Sequence, residues 1–148
     1  LSALTGVPLR QDLAMTGAID QFGNIQTIGA ATEKIEGFFD ACSALGLTGR
    51  QGVIVPRANL RDLMLREDVV EACDAGRFHV YGVETIGDAL ELFTECVAGE
   101  LDEEGNYPVD SLFGLALDRV AELWAMGAGI SLDDDEEVEV VAEADPSA

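Results

Sequence analysis

Alternation of short apolar strands with helical segments predicts an α/β layered fold for this chain of 148 residues. Residues 53–55 and 78–83 are apolar runs typical of buried strands, and the segments after them have helical spacing of apolar residues. Strands separated by helices pair in parallel, so we expect these two runs to be neighbours in one sheet. A chain of this length suits one ordinary domain with a sizeable core.

The first part of the chain predicts a helix end, a hairpin and then the clearest helix. Residues 1–7 end in a helix-stop signal, so we expect the chain to begin within that helix. Residues 12–28 have a strand pattern around the turn at residues 21–24, which indicates a β-hairpin. Apolar residues then recur at helical spacing from residue 31 onward, and we expect Gly46 to end this helix in a left-handed cap.

Polar residues before the later helical segments indicate where those helices begin. We expect Asn59, Asp68 and Thr85 to cap three successive helices, because their side chains can accept hydrogen bonds from free backbone N–H groups. Asp110 or Ser111 is expected to cap the last helix in the same way.

Composition divides the chain into four parts. Residues 1–98 form the domain, and residues 99–110 form an acidic connector containing glycine and proline. Residues 111–127 predict an amphipathic helix that packs back on the domain or against a neighbouring subunit. Residues 128–148 form an acidic tail, expected to be solvated, with a weak calcium site or a basic partner as the alternative.

The charge of the chain excludes some classes of partner. Its formal net charge is −21, from 29 acidic and 8 basic residues, and such a surface repels nucleic-acid phosphates. No apolar run approaches the roughly 20 residues of a membrane-spanning helix. Cys42, Cys73 and Cys96 lie in apolar helical patterns, which indicates buried reduced thiols. We therefore expect a cytoplasmic protein that contacts neither nucleic acid nor membrane and carries no metal.

Lys34 is the only lysine, beside seven arginines. Arginine stays protonated in proteins, whereas a desolvated lysine can lose its proton and act as a base. Lys34 is therefore a candidate general base, and an accident of composition is the alternative.

The residues around Lys34 carry a resemblance to a known family. Residues 15–17 (Met-Thr-Gly), a hairpin, residues 28–36 (Ile-Gly-Ala-Ala-Thr-Glu-Lys-Ile-Glu) and residues 52–59 resemble the proteolytic domain of Lon-type ATP-dependent proteases, in its bacterial Lon-like branch. The similarity covers residues 1 to about 97. It implies an α+β fold like the second domain of ribosomal protein S5, with a twisted mixed sheet and flanking helices, here truncated at the N-terminus.

The resemblance also implies serine peptidase chemistry with a Ser–Lys dyad. Lys34 matches the family's lysine, the general base, and Thr16 matches the threonine whose hydroxyl orients the amine. The positive end of a helix dipole disfavours a charged amine, and partial burial beside Ile28 and Ile35 would act in the same direction. Protein or peptide substrates and assembly into a six-fold ring, a hexamer, are implied as well.

The chain departs from the family pattern at the nucleophile. By the family's spacing the catalytic serine falls upstream of Leu1, so we expect the chain alone to be inactive. No serine of the chain fits the motif: Ser2, Ser43, Ser111, Ser131 and Ser147. A phosphate-binding loop is missing too, so ATP and Mg²⁺ are expected in an ATPase module elsewhere in the parent protein, and no cofactor in this chain.

A glycine of the family's Gly-Gly pair is Ala30 here, which is tolerable if its φ is negative. Two other classes of function stay open at this point. One is a non-proteolytic Lon-like scaffold in a ring ATPase, and the other is an adaptor domain whose acidic tail recruits a basic partner. The residue at the nucleophile position distinguishes the protease from the scaffold.

Overall fold

The computed structural model describes residues 1–128, so the tail predicted over 128–148 lies outside the described residues except for Ala128. The helices are α1 Ser2–Thr5, α2 Ala31–Leu45, α3 Glu67–Asp74, α4 Ile86–Thr94 and α5 Leu112–Ala128. The strands are β1 Leu13–Met15, β2 Ala18–Ile19, β3 Ile25–Gln26, β4 Gly52–Pro56 and β5 His79–Val83. A 3-10 helix, Arg57–Asp62, follows β4 directly.

Parallel and antiparallel strands occur in separate sheets. The larger sheet has the order β1-β4-β5, and both of its pairings are parallel. Val53 in the central strand lies opposite Ala14 on one side and Val80 on the other. The predicted parallel pairing of the 53–55 and 78–83 runs is therefore confirmed. Strands β2 and β3 form an antiparallel hairpin.

Strand β4 is the centre of the core because every one of its residues is buried. Its side chains alternate between the two faces of the sheet, as strand geometry requires. Val53 and Val55 pack with residues of α2, of α3 and of the segment just before β5: Ile35, Phe39, Val69, Ala72 and Phe78. Ile54 packs on the opposite side with Leu13, Val83 and Ala89 of α4. Helices cover both faces of the sheet, which explains why β4 is apolar throughout.

The hairpin turn is held by one aspartate. The Asp20 carboxylate accepts hydrogen bonds from the backbone N–H groups of Phe22 and Asn24, each at 2.9 Å. The hairpin also contacts the segment after β5, where the N–H of Ile25 donates to the carbonyl of Glu84 at 2.7 Å. The hairpin itself is confirmed, but β1 pairs with β4 instead of joining it.

Only one of the three internal caps forms as predicted. Thr85 caps α4 in a reciprocal capping box with Asp88. The pKa of the Asp88 carboxyl is lowered because it accepts hydrogen bonds from the backbone N–H groups of Thr85 and Glu84. Asp68 lies inside the first turn of α3, whose N-cap is Arg66, and Asn59 lies within the 3-10 helix. Both of those cap predictions are wrong.

Glycine and cysteine positions bring two further corrections. Gly46 ends α2 with φ 96° and ψ 119°, which has the expected positive φ but is not the left-handed helical conformation. All three cysteines are free thiols, and burial raises the pKa of Cys42 and Cys73. Cys42 is buried in α2, whereas Cys73 and Cys96 are only half-buried, and Cys96 lies after the end of α4.

Helix α5 packs back on the domain through contacts with α1. The Ser111 hydroxyl caps it, accepting from the N–H of Gly114 at 3.1 Å and donating to the carbonyl of Pro108 at 2.6 Å. Leu112 and Ala116 are buried, while several large apolar side chains of the helix are exposed. None of the helices within residues 1–128 combines the length and the apolar character needed to span a membrane.

Replacing Thr85 with alanine should lower the free energy of unfolding by about 1 kcal/mol, because the N–H of Asp88 loses its capping acceptor. Urea denaturation at neutral pH measures this change, with the exposed Thr27→Ala as the matched control.

Asp88→Ala should also lower the free energy of unfolding at neutral pH. Since folding lowers the pKa of Asp88, its contribution is present above the usual aspartate value of 3.8 and fades as the pH falls below it. An Asp88→Ala difference that grows on acidification would contradict the capping box.

Candidate active site

The predicted site residues lie at the carboxyl edge of the parallel sheet. Thr16 follows β1 directly, and its N–H donates to the carbonyl of Ile54 in β4 at 3.0 Å. Lys34 lies in the first turns of α2, the helix that leads from the hairpin to β4. The edge of a parallel sheet where the strands end is a common place for a binding site, because loops and helix starts converge there.

Lys34 and Thr16 are in direct contact. The Lys34 Nζ donates a hydrogen bond to the Thr16 Oγ1 at 3.1 Å, joining residues 18 apart in sequence. A threonine hydroxyl can accept from a charged ammonium group or donate to a neutral amine, so the contact can persist in either protonation state. The structure thus brings the two residues together, and their catalytic roles stay predictions.

The expected partial burial of Lys34 is wrong for the described residues. Its side chain is exposed, whereas the next residue, Ile35, is fully buried. Consecutive helical residues point about 100° apart, so the orientation that turns Ile35 into the core turns Lys34 toward solvent. Ile28 is half-buried nearby in the sequence. The chain therefore orients the amine through Thr16 but leaves it open to water.

The backbone turns sharply immediately before α2. Ala30 is the N-cap of this helix and has φ 57° and ψ 36°, the left-handed conformation. The condition for tolerating alanine at this position, a negative φ, is therefore not met. A left-handed alanine is strained because its Cβ crowds the following carbonyl. The carbonyl of Ala30 accepts the first hydrogen bond of the helix, from the N–H of Lys34 at 3.2 Å.

Asn59 holds the segment that precedes this turn. Its Nδ2 donates to the carbonyl of Ile28 at 2.9 Å, and its Oδ1 accepts from the N–H of Ile28 at 3.0 Å. The side chain therefore binds the backbone of a residue 31 positions away instead of capping its own helix. The predicted helix cap at Asn59 is therefore replaced by a bond to a distant segment. Local sequence pattern carries no signal for a partner 31 positions away.

A small open cleft of about 380 Å³ lies beside the start of α2. Its wall includes Ile28, Ala30, Glu33, Asn59 and Asp62. The wall carries two carboxylates, so a positive group would be favoured there over a negative one.

Two arginines flank the same edge of the sheet. Arg57 lies 3.5 Å from Glu84, and Arg61 lies 3.8 Å from Asp62. These are exposed ion pairs and contribute little to stability. Within residues 1–128, no group of three or more His, Cys, Asp or Glu side chains is placed to hold a metal ion.

The serines of the described chain lie away from the amine or serve other bonds. The Ser2 hydroxyl donates to the carbonyl of Val7 at 2.7 Å, and Ser111 caps α5. Ser43 lies nine positions after Lys34 on the same helix, which corresponds to about 13 Å along the axis. Ser131 and Ser147 lie outside the described residues. The Lys34 amine is therefore paired with a threonine, not with any of these three serines.

Comparison with known families and proteins identifies several relatives of this chain. The family model of the C-terminal proteolytic domain of Lon protease matches residues 1–94. A protein of Escherichia coli (strain K12) named as a Lon protease homolog is 47% identical over 97 residues, which cover 66% of this chain and 17% of that protein. One of Haemophilus influenzae, with the same name, is 49% identical over 92 residues, covering 62% and 15% respectively.

An archaeal protein is similar to the same part of the chain. A protein of Thermococcus kodakarensis named archaeal Lon protease is 40% identical over 92 residues, covering 62% of this chain and 13% of that protein. The chain thus spans 17%, 15% and 13% of the length of these three curated relatives.

Replacing Ala30 with glycine should raise the free energy of unfolding by about 0.5–1 kcal/mol, because glycine adopts a left-handed conformation without the Cβ clash. The matched control is Ala41→Gly in the interior of α2, which should lower it by about 1 kcal/mol. Urea denaturation of both variants measures these changes in the free energy of unfolding. An Ala30→Gly variant destabilised as much as Ala41→Gly would contradict the strained turn.

Proposed function

Because the chain belongs to the Lon protease family, as part of its C-terminal proteolytic domain, we propose that its parent protein is an ATP-dependent serine endopeptidase that uses a Ser–Lys dyad. Its substrates are proteins or peptides. The domain has the fold of the second domain of ribosomal protein S5, and the mixed helices and strands at hand are compatible with it.

The observation that carries this proposal is the 3.1 Å contact between the lone lysine and Thr16. In the proposed reaction the neutral Lys34 amine accepts the proton of a serine hydroxyl as the serine oxygen attacks the peptide carbonyl. The resulting ammonium then donates that proton to the nitrogen of the leaving amine. An arginine could not replace the lysine, since a guanidinium does not give up its proton.

Thr16 orients the amine during this exchange. Its backbone is fixed to β4 through the carbonyl of Ile54, so the position of its hydroxyl is set by the most buried strand of the domain. A hydroxyl that holds Nζ at one point reduces the freedom of a long, flexible side chain. The lone pair of the amine can then be directed at a nucleophile that approaches from the open side.

The remaining machinery lies in the rest of the parent protein. We place the serine nucleophile upstream of Leu1, on the basis of the family's motif spacing, and the ATPase module with its ATP and Mg²⁺ elsewhere in the parent. Lys34 is exposed in this chain, whereas a general base needs an environment that favours its neutral form, so the proposal requires a further segment to cover the amine. The segment that carries the serine, together with bound substrate, would cover the amine and shield it from water.

Assembly into a six-fold ring of identical copies is part of the same proposal. Helix α5 supports it, since several of its large apolar side chains are exposed in the single chain. These residues are Leu115, Leu117, Val120, Leu123, Trp124 and Met126.

The purified 148-residue chain should hydrolyse neither casein nor a fluorogenic peptide, because the proposed nucleophile is outside it. Adding the upstream segment to the same chain should produce activity that a serine-directed phosphonate abolishes. Turnover by the rigorously purified short chain would contradict this division of the dyad.

Lys34→Arg in the parent protein should reduce kcat for peptide hydrolysis by at least about 10²–10⁴, because the general base is lost while the positive charge is kept. ATP hydrolysis and ring assembly should be unchanged. The matched control is Arg77→Lys, an exposed exchange of the same two residue types, which should retain activity. Near-normal proteolysis by a folded Lys34→Arg ring would show that Lys34 is an accident of composition.

Thr16→Val should cause a smaller loss than Lys34→Arg, because the base stays in place and only its orienting hydrogen bond is removed. A hydrogen bond of this kind contributes roughly 0.5–1.5 kcal/mol, which corresponds to about a 2- to 13-fold fall in kcat. Steady-state kinetics with a fluorogenic peptide measure it. A Thr16→Val loss equal to that of Lys34→Arg would assign Thr16 a direct role in proton transfer.

A further inference from the structure

The Asn59 side chain makes two hydrogen bonds to one backbone residue, and the proposed reaction assigns them no role. Its single amide group donates to the carbonyl and accepts from the N–H of the same residue, Ile28, at 2.9 and 3.0 Å. This is the pattern by which one strand residue pairs with another, here made by a side chain. Both groups are partly buried, so water competes with these bonds less than at an exposed site.

The connection lies on a short route from the centre of the sheet to the lysine. Asn59 is in the 3-10 helix that begins directly after Pro56, the last residue of β4. Its partner Ile28 is followed by Gly29 and then by Ala30, the N-cap of α2. The helix start is therefore tied back to the end of the buried strand.

The same strand holds the other member of the pair. The carbonyl of Ile54 in β4 accepts from the N–H of Thr16 at 3.0 Å. Strand β4 thus locates Thr16 through a backbone bond and the start of the Lys34 helix through the Asn59 side chain. Both residues of the 3.1 Å contact between Nζ and Oγ1 are therefore positioned by the same strand, β4.

We propose that Asn59 is a positioning residue that sets the place of the Lys34 amine relative to Thr16 by fixing the entry of α2. This rests on the proposed function for its catalytic consequence, but not for its geometric one. We call the two hydrogen bonds between the Asn59 amide and the Ile28 backbone the clamp. Ala30 has the strained left-handed conformation, and a strained turn persists only when the surrounding structure holds it, so the clamp has a physical reason.

The amide chemistry is specific. The bond to the Ile28 N–H requires an acceptor and the bond to its carbonyl requires a donor, in one planar group of this length. An ionised aspartate has the same size but lacks the donor and would face the carbonyl with a second acceptor. Alanine removes both bonds. Asn59→Asp and Asn59→Ala therefore break the clamp in two different ways.

The first experiment measures kinetics in the parent protein with Asn59→Ala, Asn59→Asp and the exposed Asn106→Ala as the matched control. Because Asn59 acts through the contact between the Lys34 amine and Thr16, we expect kcat for the two Asn59 variants to fall by up to the loss of Thr16→Val, about 2- to 13-fold. KM should change little, and Asn106→Ala should be unaffected. In the double variant Asn59→Ala with Thr16→Val, the losses should be less than multiplicative, because both act through the position of one amine.

The second experiment uses the lone lysine as its own probe in the 148-residue chain. Lysine labelled with ¹³C at Cε gives a single side-chain resonance, because the chain has one lysine. Asn59→Ala and Asn59→Asp should move that resonance toward its position in Thr16→Val, while Asn106→Ala should leave it in place. This readout needs no enzymatic activity and would not follow from a general loss of stability in a chain that stays folded.

The outcomes separate the two proposals. If Lys34→Arg retains proteolysis, the proposed dyad fails, and the resonance alone then decides whether Asn59 positions the amine. If Lys34→Arg is inactive but both Asn59 variants keep kcat and leave the resonance unchanged, the positioning role is overturned. Should Asn59→Ala fail to fold, the isosteric Asn59→Asp decides by the same two measurements.

Discussion

The complete burial of β4 is the constraint on which the rest of the structure depends. It lies between β1 and β5, and its side chains supply both layers of the core. Such a strand cannot shift its register without moving Val53 and Val55 to the wrong face. Thr16 is bonded to its backbone and Asn59 follows it, so a rigid element defines the geometry of an otherwise exposed pair.

A lysine that acts as a base has two separate needs, and the described residues meet only one of them. Orientation is provided by the Thr16 hydroxyl at 3.1 Å from Nζ. Desolvation is not, because Lys34 is exposed. Our proposal assigns desolvation to another segment of the parent protein, so the assembled enzyme, and not the isolated domain, would be the reactive form. Such an arrangement would keep a general base inactive until its partner is in place.

Periodicity and turn chemistry predict most of the secondary structure of this chain. The apolar run around Val53, the helix containing Ile35 and the capping box of Thr85 follow from local pattern, and the structure confirms all three. The pairing of Lys34 with Thr16 could be expected only through the family resemblance. Their separation of 18 residues is bridged by a hairpin whose path no periodicity describes.

The errors have a common physical origin. Asn59 and Asp68 were expected to cap helices, since their side chains suit that role, but local pattern does not register competing partners distant in sequence. Asn59 finds the backbone of Ile28, and Asp68 pairs with Arg66, whose guanidinium lowers the pKa of that carboxyl. The left-handed Ala30 was missed for a related reason. Its φ of 57° is opposite to the preference of alanine, and local pattern predicts only that preference.

A structure of the parent protein inhibited by a serine-directed peptide boronate tests the central claim most directly. The proposed dyad predicts a serine from upstream of Leu1 bonded to the boron, with its Oγ about 2.6–3.2 Å from the Lys34 Nζ and with Thr16 still in contact with the amine. A parent structure in which the residue facing Lys34 is glycine or alanine, or in which the bound serine lies beyond reach of Nζ, would contradict it.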